Sequence, residues 1–120
     1  MIVVTSEPQH RRVRVRMGGM LTLAEVEKFS LEEQAAVRAI GLSAGEFDLL
    51  VETDGNQVQT QEIMGAFGRL LLETPLKARK IATVRAGALT RMQSRRLSTL
   101  RDNSLVFENL AEAEAWLSEQ

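Results

Sequence analysis

The chain reads as an α/β domain: a mostly parallel five-stranded sheet with an antiparallel N-terminal edge, in the order β-β-α-β-α-β-α-β-α. Three observations predict it. Residues Arg12 to Met17 alternate without a fault, which places Val13, Val15 and Met17 on one face of a strand and three arginines on the other. Short β-type runs then alternate with amphipathic stretches of helical period, and strands joined through helices pair in parallel by right-handed crossovers. Finally, 120 residues with 44% hydrophobic content are enough for one real core and little more, so residues 1–120 are expected to form a single domain.

Each element has its own local warrant. Ile2-Val3-Val4-Thr5 is a strand candidate, and the turn near Pro8 leads into the alternating strand, which Gly18-Gly19 ends. Thr22 followed by Glu25 is a capping box, and beyond it Val26, Phe29, Ala36, Val37 and Ile40 recur at helical intervals up to Gly41. Ser30 and Glu33 repeat the box spacing, which marks Ser30 as a candidate kink. Phe47 to Thr53 reads as a strand with Phe47, Leu49 and Val51 on its better face, and Asp54-Gly55-Asn56 as a turn. Thr60 caps a helix with Ile63, Ala66, Phe67, Leu70 and Leu71 in one stripe, ended by Pro75. Ile81-Ala82-Thr83-Val84 is strand-like, Ala88 to Arg101 is a basic helix with Leu89, Met92, Leu97 and Leu100 expected inward, and Leu105-Val106-Phe107 is a short strand. Asn109 with Glu112 caps a last helix that buries Ala113, Trp116 and Leu117. Arg12/Arg14/Arg16, Asp48/Glu52 and Thr83/Arg85 all occupy alternate positions, so one sheet face is expected to be only partly covered by helices.

Composition narrows function mainly by exclusion. The absence of Cys removes disulfides, thiolate nucleophiles, zinc-thiolate sites and iron–sulfur clusters. With His10 as the only histidine and no Tyr, any Ser-His-Asp arrangement would have to use a residue in a turn between strands. The expectation is a non-enzymatic protein without metal or cofactor. No apolar run reaches membrane-spanning length and no basic-then-apolar leader is evident, so a cytoplasmic location without membrane insertion is expected.

The net charge of -1 conceals segregation. Residues 1–16 carry four arginines against Glu7; residues 17–76 carry ten acids against three bases; residues 77–101 hold eight bases and no acid; residues 102–120 hold five acids and no base. Within the basic block, Arg91, Arg95 and Arg96 lie on one helix flank as a candidate anion patch. No aromatic residue stands between 77 and 101 to stack a base, so nucleic acid is not the expected partner. Pairing of this block with the acidic first or last helix is expected instead.

Gly19-Met20-Leu21-Thr22 before the first helix, Phe47 to Val51 before the turn, the basic strand and helix from Lys80 to Arg101, and Ala111 to Leu117 at the end resemble the SpoIIAA-like branch of the STAS superfamily, which includes the anti-sigma-factor antagonists. The likeness spans nearly the whole chain, and Glu-Ala-x-x-Trp-Leu at 112–117 is its most specific phrase. It implies a small regulatory protein-interaction module. In the antagonists the turn after the matching strand reads Asp-Ser-Ser-Gly, and the serine before the glycine is phosphorylated. Here the turn is Glu52-Thr53-Asp54-Gly55, so Asp54 holds the acceptor position, with one fixed negative charge where phosphoserine would bring a switchable one. The resemblance therefore implies that the serine switch is lost, while Thr53 keeps a hydroxyl next door. The expected partner-binding loop is Thr53, Asp54, Gly55, Asn56 and Thr60.

Gly65 and Gly68 sit inside a helix where each costs about 1 kcal/mol relative to Ala, which suggests close approach to something. With Met64 and Phe67 they form a candidate interface, for a homodimer or another protein, or an apolar pocket. SpoIIAA-like folds also resemble the lipid-carrying CRAL-TRIO domains, so the alternative function is a carrier or sensor of a small hydrophobic molecule or lipid.

Overall fold

The computed structural model describes residues 1–54, 57–85 and 87–119, with backbone alone at Ala88 and Leu89. Among these the strands are β1 (Ile2–Glu7), β2 (Arg12–Gly18), β3 (Asp48–Asp54), β4 (Lys80–Val84) and β5 (Ser104–Phe107). The α-helices are α1 (Leu23–Ala39), α2 (Gln61–Glu73), α3 (Ala88–Ser98) and α4 (Leu110–Ser118), and a single 3-10 turn, Pro8–His10, joins β1 to β2. The strands lie in the order β1-β2-β3-β4-β5, with β1 antiparallel to β2 and every other pair parallel. Because each crossover steps to the next strand in the same direction, right-handed connections put α1, α2 and α3 on one face. Only α4 returns to the other.

Register and parity decide which side chains go under which layer. The rows Val13-Leu49-Ile81 and Val15-Val51-Thr83 point under α1–α3, where Val26, Phe29, Val37 and Ile63 complete the main core. The row Arg14-Leu50-Ala82 points to α4, and there Leu50 and Ala82 pack with Ala113 and Leu117 in a second, smaller core. Phe107 and Trp116 close its rim at 5.6 Å between ring centroids. The partly covered face is thus the α4 face, as alternation in β2 implied. Thr83 and Arg85, however, belong to the opposite, fully covered face; alternation within a strand gives parity, and only register says which parity is which.

Local chemistry starts the helices where it was expected to. The Thr22 hydroxyl accepts from Glu25 N–H while the Glu25 carboxylate accepts from Thr22 N–H, and Thr60 and Asn109 cap α2 and α4. Helix α1 runs through Ser30 without a break; the Ser30 hydroxyl accepts from Gln34 instead. Strand β3 begins one residue later than expected, with Phe47 fully buried just before it.

Charge is used in two ways. On the α4 face Arg12 meets Glu7 at 2.9 Å, Arg14 meets Glu52, and Arg16 meets Asp54 at 2.9 Å, so opposite charges do meet across the fold. The basic block behaves differently from expectation. Lys77 donates to the carbonyls of Leu72 and Thr74 at the end of α2, and Lys80 to those of Trp116 and Glu119 at the end of α4. Arg79 donates to Asp48 and to the Leu117 carbonyl. These bases serve helix C-termini, where unsatisfied carbonyls carry partial negative charge.

Candidate functional site

The helix-covered face ends in a polar cluster at the C-terminal ends of β3 and β4. Thr53 and Arg85 share that parity, and Arg85 is only 8% exposed. Its Nε donates to Thr53 Oγ1 at 2.8 Å, and Thr53 Oγ1 donates onward to the Val84 carbonyl at 2.9 Å. The hydroxyl proton is thereby committed away from the guanidinium, and its lone pair is presented to it. Nη1 reaches Ser94 Oγ at 3.4 Å and the Thr90 carbonyl at 3.5 Å, both on α3. Burial pulls the Arg85 pKa below its ordinary value, and no acid among the described residues pulls it back.

This cluster explains why α3 differs from its expected orientation. Among its described side chains Thr90 and Ser94 are the buried ones, while Met92 and Leu100, expected inward, are 52% and 41% exposed. Leu89 falls outside the described side chains. The helix turns polar groups toward the buried arginine, the Ser94 hydroxyl and the Thr90 carbonyl, while the Thr90 hydroxyl donates to the Gly87 carbonyl at its own N-terminus.

Two glutamines fasten the segment that leads into α2. Gln59 Nε2 donates to the Gly19 carbonyl, its Oε1 accepts from Leu21 N–H, and its backbone exchanges two 3.0 Å bonds with the Gln93 amide. Gly19, with φ +73, makes the turn that turns its carbonyl to Gln59. The β2–α1 loop, residues 57–60 and α3 are consequently tied together over the sheet end.

Below this lid lies a cavity of about 120 Å³ between the sheet and α1–α3. Phe29, Val51, Met64, Phe67 and Leu70 give it apolar walls; Arg85 lines one end, and Glu33 and Arg101 the other. Phe29 and Phe67 meet edge to face at 6.3 Å. Burial pushes the Glu33 carboxyl up to about 7, against the smaller opposing pull of Arg101. Glu33 makes no direct ion pair among the described residues.

Of the residues singled out in the sequence, Thr53, Asp54, Met64 and Phe67 line this cavity. Asp54 is also half exposed and paired with Arg16. The Thr60 hydroxyl is occupied in capping α2. Gly55 and Asn56 lie outside the described residues. At Gly68 a Cβ would meet Leu100 Cδ1 at 3.4 Å and Leu97 Cδ2 at 3.8 Å, ordinary contact distances, so close approach does not require the glycine. Gly65 is exposed with open space around it, so packing within the chain does not account for it. Arg91 is bound to Glu108 at 2.6 Å, leaving Arg95 and Arg96 as the exposed part of the anion patch. Sequence reading missed Arg85, Gln59, Gln93 and Glu33 as site residues.

The cluster holds hydroxyls and a guanidinium, and an arginine does not act as a proton acceptor. His10 is exposed at the opposite end of β2. No protein-family model and no curated protein matches the chain. Among solved structures, the chain is similar to an uncharacterized protein of the DUF3478 family from Shewanella loihica PV-4, which has a SpoIIAA-like fold. The TM-score is 0.70 at 19% sequence identity, covering 97% of this chain and 93% of the other. Strand order, the placement of three helices on one face and one on the other, and this likeness together establish that the chain has a SpoIIAA-like fold.

Proposed function

We propose that the domain is a non-enzymatic carrier or sensor of a small hydrophobic molecule, held in the cavity between the sheet and α1–α3. The observation that supports this is a mostly apolar-walled, partly open cavity of about 120 Å³ between the sheet and α1–α3. Protein cores hold few voids larger than a water molecule, and an apolar cavity of about 150 Å³ takes up benzene rather than water. The size favours a ligand with a six-carbon ring or chain over a diacyl lipid. Benzene near saturation is expected to raise the melting temperature by about 3 °C and to shift the methyl resonances of Met64 and Leu70. No change in either quantity would refute the reading.

A second reading, a regulatory STAS-type module that docks a protein or a second copy of the chain, draws support from Asp54. It stands half exposed at the end of β3, beside the segment fastened by Gln59. Asp54→Lys is expected to abolish partner capture while costing under about 1 kcal/mol of stability, because an exposed ion pair is worth little. Gly65→Ala is the matched control for α2: open space surrounds it, so it should gain about 1 kcal/mol in thermal denaturation. Capture unaffected by Asp54→Lys would count against this reading.

A further inference from the structure

Among the described residues two arginines are buried, Arg12 and Arg85. Arg12 meets Glu7, whereas Arg85 meets no carboxylate among the described residues. A buried cation is ordinarily paired, since moving it out of water without a counter-charge is strongly unfavourable. Here the fold supplies neutral acceptors for part of the guanidinium and leaves the rest facing a cavity.

The bonding is uneven in an informative way. Nε is well held by Thr53 at 2.8 Å, which fixes the plane of the group. The contacts of Nη1 are at the long limit for hydrogen bonds, at 3.4 and 3.5 Å, and Nη2 has no partner among the described residues. The Nη1–Nη2 edge is thus the open edge of a fixed fork, and a planar two-oxygen acceptor fits such an edge with two parallel bonds.

From this edge, and resting on the small-molecule reading above, we infer that the ligand is a compact apolar monoanion. It is a carboxylic acid of about six to eight carbons, with its carboxylate on Arg85 and its ring or chain between Phe29, Met64, Phe67 and Leu70. A single charge is favoured over a phosphate-like dianion because the cavity's other arginine, Arg101, sits at the far end near Glu33, so one guanidinium alone faces the ligand's head. Thr53 acts as a positioning residue, holding the fork through Nε without taking its open edge.

The test is titration of the wild-type protein at pH 7.5 with two matched pairs: hexanoate against hexanamide, and phenylacetate against phenylacetamide. Each acid is expected to bind at least about tenfold more tightly than its amide, the scale of a charge-assisted bidentate contact over a neutral one. In Arg85→Met, which keeps an unbranched apolar side chain at the site, that preference should shrink to within about threefold while the amides bind as before. Equal binding of acid and amide by the wild type would overturn the inference and leave the cavity reading standing. Binding of none of the four would overturn both. An acid preference that survives in Arg85→Met would also overturn it, by moving the anion to another cation. Should the variant fail to fold, the wild-type comparison still decides between acid and amide.

Discussion

Replacing Leu50 with alanine is expected to lower the unfolding free energy by about 3 kcal/mol. Leu50 is fully buried on the face that α4 alone covers. Its core neighbours Ala82 and Ala113 are already as small as a side chain with a Cβ can be, so they cannot swing in to fill the space. The loss therefore includes both the transfer of the removed atoms and most of the cavity left behind. Since domains of this size are stable by about 5–15 kcal/mol in total, the change should be evident as a lower urea midpoint with an unchanged slope. Amide exchange in α4 should quicken most, because this contact is a large share of what holds that helix. A loss below about 1 kcal/mol would mean that α4 is held chiefly by Arg79 and Lys80 at its C-terminal carbonyls.

Glu33→Gln is expected to stabilise the protein above pH 7 by about 2 kcal/mol, and to have no effect near pH 4. In the folded state burial raises the Glu33 pKa from 4.5 to about 7. Between those values the folded protein holds a proton that the unfolded chain has released. Wild-type stability therefore falls as pH rises through this window, with the whole penalty present above pH 7 and none below the unfolded pKa. Full burial would make the effect larger, and contact with water at the cavity end reduces it. Glutamine has no charge to desolvate and shows no such slope. Urea denaturation of both proteins at pH 4, 6 and 8 measures the difference directly. A destabilised Gln variant at pH 8 would instead place Glu33 in a strong ion pair with Arg101.

What the sequence made legible, and what it did not, follows the range of the interactions. The caps at Thr22, Thr60 and Asn109 involve partners three residues away, so the letters themselves carry the information. The alternation of β2 was equally readable, because its period is a property of one strand. Leu50 was less visible: it sits between Leu49 and Val51, and nothing local says that an apolar layer waits on its side too. The partners of Lys77 and Lys80 were beyond reach for another reason. They are backbone carbonyls at helix ends, which any residue can supply. Arg85 was the most consequential omission. Ile81, Thr83 and Arg85 share a parity, and assigning that parity to the face of Leu49, Val51 and Thr53 would have put a cation beneath the helices. The inward-facing Ser94 then follows from it, against the habit of reading every buried helix face as apolar.

The strand order β1-β2-β3-β4-β5 also governs how the molecule can be assembled in time. Each strand is added beside the one that precedes it in the chain, so every pairing closes a loop no longer than one helix and its turns. The entropic cost of closing a loop grows only slowly with its length, so each parallel pairing, such as Arg12 with Asp48, is reached through one crossover at a time. A ribosome releasing the chain presents each new strand with a finished edge. Helix α4 breaks the pattern by reaching back from β5 over β4 and β3. Until residues 110–118 have emerged, Leu50, Ala82 and Val84 remain an apolar strip open to whatever a nascent chain meets.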